Sequence, residues 1–432
     1  MLLVAALDAK DKSMTSPPQD QGPDVAPTKT SVEAVARRSK ALATFLLAAV
    51  LSTLLLVGAA VYLLSAPDPI VQPFSIPSVA QTPQRPENTI ALIAPRGVID
   101  ADLLRDFESE SGNSVELISY DNEESLLSIA ADTALNADVI LAAGTTIQQL
   151  QLMRNAGLSV LPARAISHLG RVDPGLRTIA KTYDPAGLYA VPYAWTSVGL
   201  GIHRQELMFR LKGSEDIDSW SLLFDPALVA QLTSCGVYSV DAPSLAFPSA
   251  LVSLNLPLFS NTPNDVERAS AAWESIRQHI TKFNTRALSE ALASGKACLS
   301  LALASDVYRA RALARDAGQN SNLEFIVPRE GSVLRLYMLA QPRGAQNPAR
   351  SAALIDYLFR PEISARMTNS YWLANALPAS QLYIRQDIKD DPRIYPDLGE
   401  FARLTPETNP TPAIISLRER FWLLMSSGAP AP

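Results

Sequence analysis

From Ala41 to Leu64 the chain runs for 24 residues without a charged side chain, ALATFLLAAVLSTLLLVGAAVYLL. As a helix rising about 1.5 Å per residue, this stretch would be about 36 Å long, enough to cross a hydrocarbon layer of roughly 30 Å with some tilt. Arg37, Arg38 and Lys40 precede it and Asp68 follows it. The positive-inside rule therefore puts residues 1–40 in the cytoplasm and everything after Leu64 outside. Three readings compete: a retained anchor, a cleaved signal peptide and a buried core helix. The uninterrupted apolar length and the proline-rich tract behind it argue against a core helix. A signal peptide's apolar core is usually only roughly 7–15 residues, which argues against cleavage. The expectation is a transmembrane anchor, with a signal as the alternative. Arg37-Arg38 resembles a twin-arginine export signal, but Ser39-Lys40-Ala41 lacks the apolar continuation, and no cysteine lies nearby to accept a lipid.

Residues 1–40 are polar and rich in Pro, Ser, Thr, Asp and Lys, which predicts a disordered tail. Between 65 and 87 fall six prolines (Pro67, Pro69, Pro73, Pro77, Pro83, Pro86), a composition that favours an extended spacer. The chain as a whole, at 47% hydrophobic and 19% charged residues, has the makings of a packed core. A net charge of −6 gives no basic surface for a phosphate backbone, so nucleic acid is excluded as a partner. His168, His203, His279, Cys235 and Cys298 are too scattered for a zinc site, and no metal or cofactor is expected.

From Asn88 onward, short apolar runs alternate with helical spacing, which predicts an α/β fold with a mostly parallel sheet. TIALIAP, SVELISYD and ADVILAA read as strands, with helices over 100–111 and 122–133 between them, a βαβαβ unit. LYAVPYAWTSVGLGIH and LEFIVPREGSVLRLYMLAQP are long extended runs able to cross between two lobes, while 287–293, 306–317 and 349–358 have helical spacing. No nucleophile elbow, P-loop, dinucleotide fingerprint or metalloprotease motif occurs, so an enzyme is not expected. Gly199-Leu200-Gly201 lacks a third glycine and reads as a close-packed strand, and His203 has no acidic partner at a recognisable spacing.

The blocks DPAGLYAVPYAWTSVGLGI, DSWSLLFDPALVAQL, SCGV, VDAP, SGKACLSLALASDVYRA, VPREG, DYLFRPE and LANA follow one another in this order. Together they resemble the periplasmic spermidine/putrescine-binding proteins of polyamine ABC importers, above all the putrescine-binding type, over residues 89–426. The resemblance implies a bilobal type II periplasmic-binding-protein fold with the ligand in the cleft. One lobe is expected over 88–192 plus about 325–360 and the other over 193–324 plus about 361–426. It also implies a small-molecule ligand, a polyamine by resemblance, and an ABC permease as partner. Cys235 and Cys298 lie beyond the apolar span, outside the reducing cytoplasm, and the resemblance supports a disulfide between them.

In that family, ammonium groups are held by carboxylates and boxed by aromatic rings. Carried over by motif, the acid of the SDVY block is kept as Asp306, whose plainer reading is a helix N-cap. Gly97 stands where an acid belongs, with Arg96 beside it. Leu245 replaces a second acid and Tyr337 a third, while Arg335 and Leu303 replace aromatic residues and Ala143 a serine. The late aromatic position is Leu373, with Trp372 adjacent. With three of four acids gone, Arg96 and Arg335 are either solvated or favour an anionic group in the cleft. The expected ligand then carries a carboxylate or no charge, with Tyr193, Trp195 and Trp372 as candidate stacking walls. The alternative is a fold that has lost uptake and serves as a tethered sensor or interaction module.

Overall fold

The computed structural model describes residues 85–132, 135–154, 157–212, 217–319 and 322–427. The expected tail, apolar anchor and spacer up to residue 84 lie outside the described residues. Among the described residues, no helix is long and apolar enough to cross a membrane.

The first strands form as their apolar runs dictate. β1 (Thr89–Pro95) pairs in parallel with β2 (Ser114–Tyr120) and with β3 (Val139–Ala143). The intervening helices are Ala101–Ser111 and Glu123–Asp132. Asp100 caps the first helix by accepting from Asp102 N–H, and Gly112 ends it in the left-handed conformation. β3 is buried throughout and β1 from Ile90 to Ala94, the apolar run expected of a parallel strand covered on both faces.

Beyond this unit lie β4 (Leu158–Ser159), β5 (Ala190–His203), β6 (Val237–Ser239), β7 (Lys282–Phe283), β8 (Leu299–Leu303), β9 (Leu323–Ile326), β10 (Ser332–Pro342), β11 (Ala374–Asn375) and β12 (Leu404–Pro406). The main path of the sheet runs β2-β1-β3-β10-β5-β8-β6-β7. β5 joins its two halves. Its first part, Ala190–Ser197, pairs with β10, and its second part, Val198–His203, pairs with β8 and β9. Those pairings are antiparallel, as is β10 against β3. The sheet is therefore mixed, not mostly parallel, because a strand that crosses into the second half is met there and on return by strands running the other way.

Gly199 and Gly201 are tightly packed, as expected: a Cβ on Gly199 would stand 2.2 Å from the Ile326 carbonyl oxygen. His203 turns inward and bonds the Leu292 carbonyl through Nε2 at 2.8 Å. The helix Pro361–Tyr371 packs with the first half of the molecule, against its expected place in the second lobe. There Tyr371 Oη donates to the Ile99 carbonyl and Arg366 pairs with Asp106. In the last helix, Pro412–Ser426, Trp422 stands edge-on to Trp273 and Phe283.

Cys235 and Cys298 form a disulfide, with Cα atoms 5.5 Å apart. It ties the end of the helical segment before β6 to the start of β8.

Candidate binding cleft

A cleft opens where the carboxyl ends of β1, β2, β6 and β8 converge, with the middle of β10 as its floor. Strand ends gather there because in an open α/β sheet the loops beyond them are free of the covering helices. From the first half come Pro95, Arg96 and Gly97 after β1, and Tyr120, Asp121 and Glu123 after β2. From the second half come Val240, Ala242, Leu245 and Leu303, with Ser305, Asp306 and Arg309 from the helix Ala304–Asp316. β10 contributes Arg335 and Tyr337, and Tyr371 closes one side.

The charges in this cleft are matched by partners in the chain. Arg335 and Glu407 are both almost fully buried, 4% and 3% exposed. They form a two-pronged pair: Arg335 Nε donates to Glu407 Oε2 and Nη2 to Oε1, each at 2.8 Å. Arg335 Nη2 also reaches Ser244 Oγ at 3.2 Å. Burial alone would lower the guanidinium's pKa, but Glu407 outweighs it and drives it further up. Arg335 is therefore neither solvated nor an open anion receptor, the two readings that the sequence left for it.

Arg96 Nε donates to Asp121 Oδ1 at 2.7 Å, and Arg286 Nη2 reaches Asp121 Oδ2 at 3.1 Å. Burial pushes the Asp121 carboxyl up, yet the two arginines win and hold it below its ordinary range. Arg96 lines the cleft and is already paired with Asp121.

Asp306 sits at the third position of its helix and accepts from Leu303 N–H at 3.3 Å, so it closes the first turn from inside instead of standing at the N-cap. Burial pushes its carboxyl up to about 6, against the pull of that N–H, Arg309 and Arg335. Gly97 adopts a φ of +74°, and a Cβ there would lie 2.7 Å from Arg309 Nη1. The exposed guanidinium of Arg309 thus covers the glycine that stands where an acid was expected.

Glu123, 4% exposed, accepts from Tyr120 Oη at 2.9 Å through Oε1, while its Oε2 has no hydrogen-bond partner. Burial raises its pKa. Tyr337 is buried too, and desolvation raises its pKa.

The expected stacking walls lie elsewhere. Tyr193 is buried in β5 against Phe359, centroids 5.8 Å apart, and Trp195 meets Phe401 at 5.8 Å. Trp372 adopts the left-handed conformation that ends the helix Pro361–Tyr371, with the Arg385 guanidinium over its ring at 5.6 Å. It lines a separate surface recess with Tyr308 and Arg311. The rings that face the cleft are Tyr120, Tyr337 and Tyr371. Sequence reasoning missed Tyr120, Asp121, Glu123, Arg309 and Glu407. The first three stand in YDNEE directly after β2, a position that the strand-end rule points to.

The profile of the bacterial extracellular solute-binding proteins matches residues 102–396. The chain belongs to that family. It is 27% identical over 332 residues to a putrescine-binding periplasmic protein of Escherichia coli, covering 76% of this chain and 89% of that one. It is 26% identical over 324 residues to a putrescine/agmatine-binding protein of Pseudomonas aeruginosa, covering 75% and 88%. Its fold is similar to that of a putative spermidine/putrescine ABC transporter protein from Listeria monocytogenes, with a TM-score of 0.70 at 19% identity, covering 78% of this chain and 98% of that one. The fold is accordingly the bilobal α/β periplasmic-binding-protein fold, with β5 running between the lobes and the chain crossing back between β9 and β10.

Proposed function

We propose that this chain is the solute-binding component of a bacterial ABC importer, held at the outer face of the inner membrane by residues 41–64. In this reading its cleft takes a small solute that carries a carboxylate or no net charge, in place of a polyamine dication. The observation that carries the reading is the pairing within the cleft. Asp121 is shared by Arg96 and Arg286, Glu407 is held by Arg335, and Arg309 stands beside Asp306. A dication desolvated there would find few carboxylates without a guanidinium, and an unpaired buried charge is costly. The kinship with putrescine-binding proteins supports the importer role, and the charge-free span with Arg37, Arg38 and Lys40 before it supports the tether.

Thermal denaturation against polyamines, amino acids and organic acids tests the ligand class. A solute at a hundred times its dissociation constant stabilises by about 2.7 kcal/mol. A clear shift with micromolar putrescine, abolished in Asp306→Ala, would sink the charge reading. Fractionation tests the tether: the protein should resist high salt and leave the membrane only in detergent. A soluble product beginning shortly after Leu64 would show a signal peptide instead.

A further inference from the structure

We propose that Arg335 is a built-in cation that occupies the cleft in the manner of a bound ligand, and that it is the residue which excludes external amines from this site. The inference deepens the ligand reading above and rests on this cleft being the solute site.

The guanidinium has the surroundings that a desolvated cation requires. It is clamped by both oxygens of the buried Glu407 carboxylate at 2.8 Å, and its third polar contact is Ser244 Oγ at 3.2 Å. Tyr337 lies two residues along the same strand and lines the same cavity, as does Glu123, whose carboxylate acts on the Arg335 charge. Carboxylates gathered around one buried cation make a site of the kind that binds an amine or guanidine from solution. Here the cation comes from the middle of β10, which lies between β3 and the first part of β5.

The placement also joins the lobes. Glu407 follows β12, whose Pro406 pairs with Leu334 beside Arg335. Ser244 opens the second-lobe helix Pro243–Ser253, and its N–H donates to Glu124 Oε1 of the first lobe at 3.1 Å. A ligand between two lobes closes them by touching both, and Arg335 makes such contacts from inside the chain. An external ammonium could enter only by displacing a side chain that is tethered in place and so holds a high local concentration.

Removing the side chain should therefore turn an intrinsic cation site into an extrinsic one. In Arg335→Ala, Glu407 is left as a buried carboxylate without its partner beside Glu123, so a small cation should be drawn in. The probes are methylguanidinium and putrescine, followed by calorimetric titration and by melting temperature on the full chain. The wild type is expected to respond to neither. Arg335→Ala is expected to bind methylguanidinium at least tenfold more tightly than the wild type and to recover part of its lost melting temperature. The double variant Arg335→Ala, Glu407→Gln should lose that response.

If Arg335→Ala does not fold alone, recovery of folded protein on adding methylguanidinium supports the proposal, and failure to recover overturns it. A folded Arg335→Ala with no gain over the wild type also overturns it, whatever solute the wild type takes. So does putrescine binding to the wild type that Arg335→Ala weakens, since Arg335 would then assist the amine. A wild type that takes carboxylates, or no solute of the panel, leaves the comparison between the two chains fully readable.

Discussion

Replacing Asp306 by asparagine should stabilise the protein at neutral pH, although it removes an acid from the first turn of a helix. Burial, acting against the Leu303 N–H, Arg309 and Arg335, pushes the Asp306 carboxyl from 3.8 up to about 6. About two pH units at roughly 1.36 kcal/mol each set an upper bound near 3 kcal/mol, which the solvent still touching this half-buried residue reduces to about 1–2 kcal/mol. In the unfolded chain the proton leaves near 3.8, and in the folded chain near 6. Between those values the native state holds the extra proton, so stability falls as pH rises through the window and the full cost is present above it. The opposing effect, a carboxylate at a helix N-terminus, contributes only about 0.3–1 kcal/mol. Asparagine keeps an acceptor for Leu303 N–H without the charge. Urea unfolding followed by tryptophan fluorescence should show Asp306→Asn more stable than the wild type by about 1–2 kcal/mol at pH 7.5, with the gain vanishing toward pH 4. A variant less stable by the same amount at both pH values would refute the reasoning and show that the dipole and the two arginines outweigh burial.

The disulfide between Cys235 and Cys298 spans 63 residues, so its loss in a Cys235→Ala, Cys298→Ala variant should cost about 4 kcal/mol in the chain-entropy model, read as a lower denaturant midpoint. Trp273 is fully buried among Phe224, Phe283 and Trp422, and Trp273→Ala should cost about 3–5 kcal/mol in the same assay. Gly97→Ala should destabilise by about 1–3 kcal/mol, because φ is +74° there and the new Cβ meets Arg309. A restored melting temperature in Gly97→Ala, Arg309→Ala would assign that cost to the clash, and an unchanged deficit would assign it to the backbone. Trp422→Phe removes the 2.7 Å bond from its indole Nε1 to Asp241 Oδ1 while keeping most of the ring packing, and should cost about 1–2 kcal/mol by thermal melting.

The βαβαβ unit and the two crossing strands were legible in the sequence because each strand is an apolar run bounded by polar or turn residues. The mixed direction of the sheet was not, since antiparallel crossing leaves no mark in hydrophobic periodicity. The helix Pro263–Ile276 passed unnoticed although Val266, Ala269, Trp273 and Ile276 mark its buried face at helical spacing. Tyr193 and Trp195 show where alternation fails: nearly all of β5 is buried on both faces, so a period of two cannot say which face meets the cleft. The cleft's charge failed for a different reason. Counting substitutions at matched positions follows only the places where a family keeps its acids, and Asp121, Glu123 and Glu407 stand at others. Arg335 and Glu407 are 72 residues apart, and no local pattern links them. Counted by composition Arg335 adds a positive charge to the cleft, whereas with Glu407 at 2.8 Å it adds almost none for a ligand to meet. Electrostatic selectivity in such a cleft is a property of which charges are paired, and that is decided by tertiary contacts between strands distant in the chain.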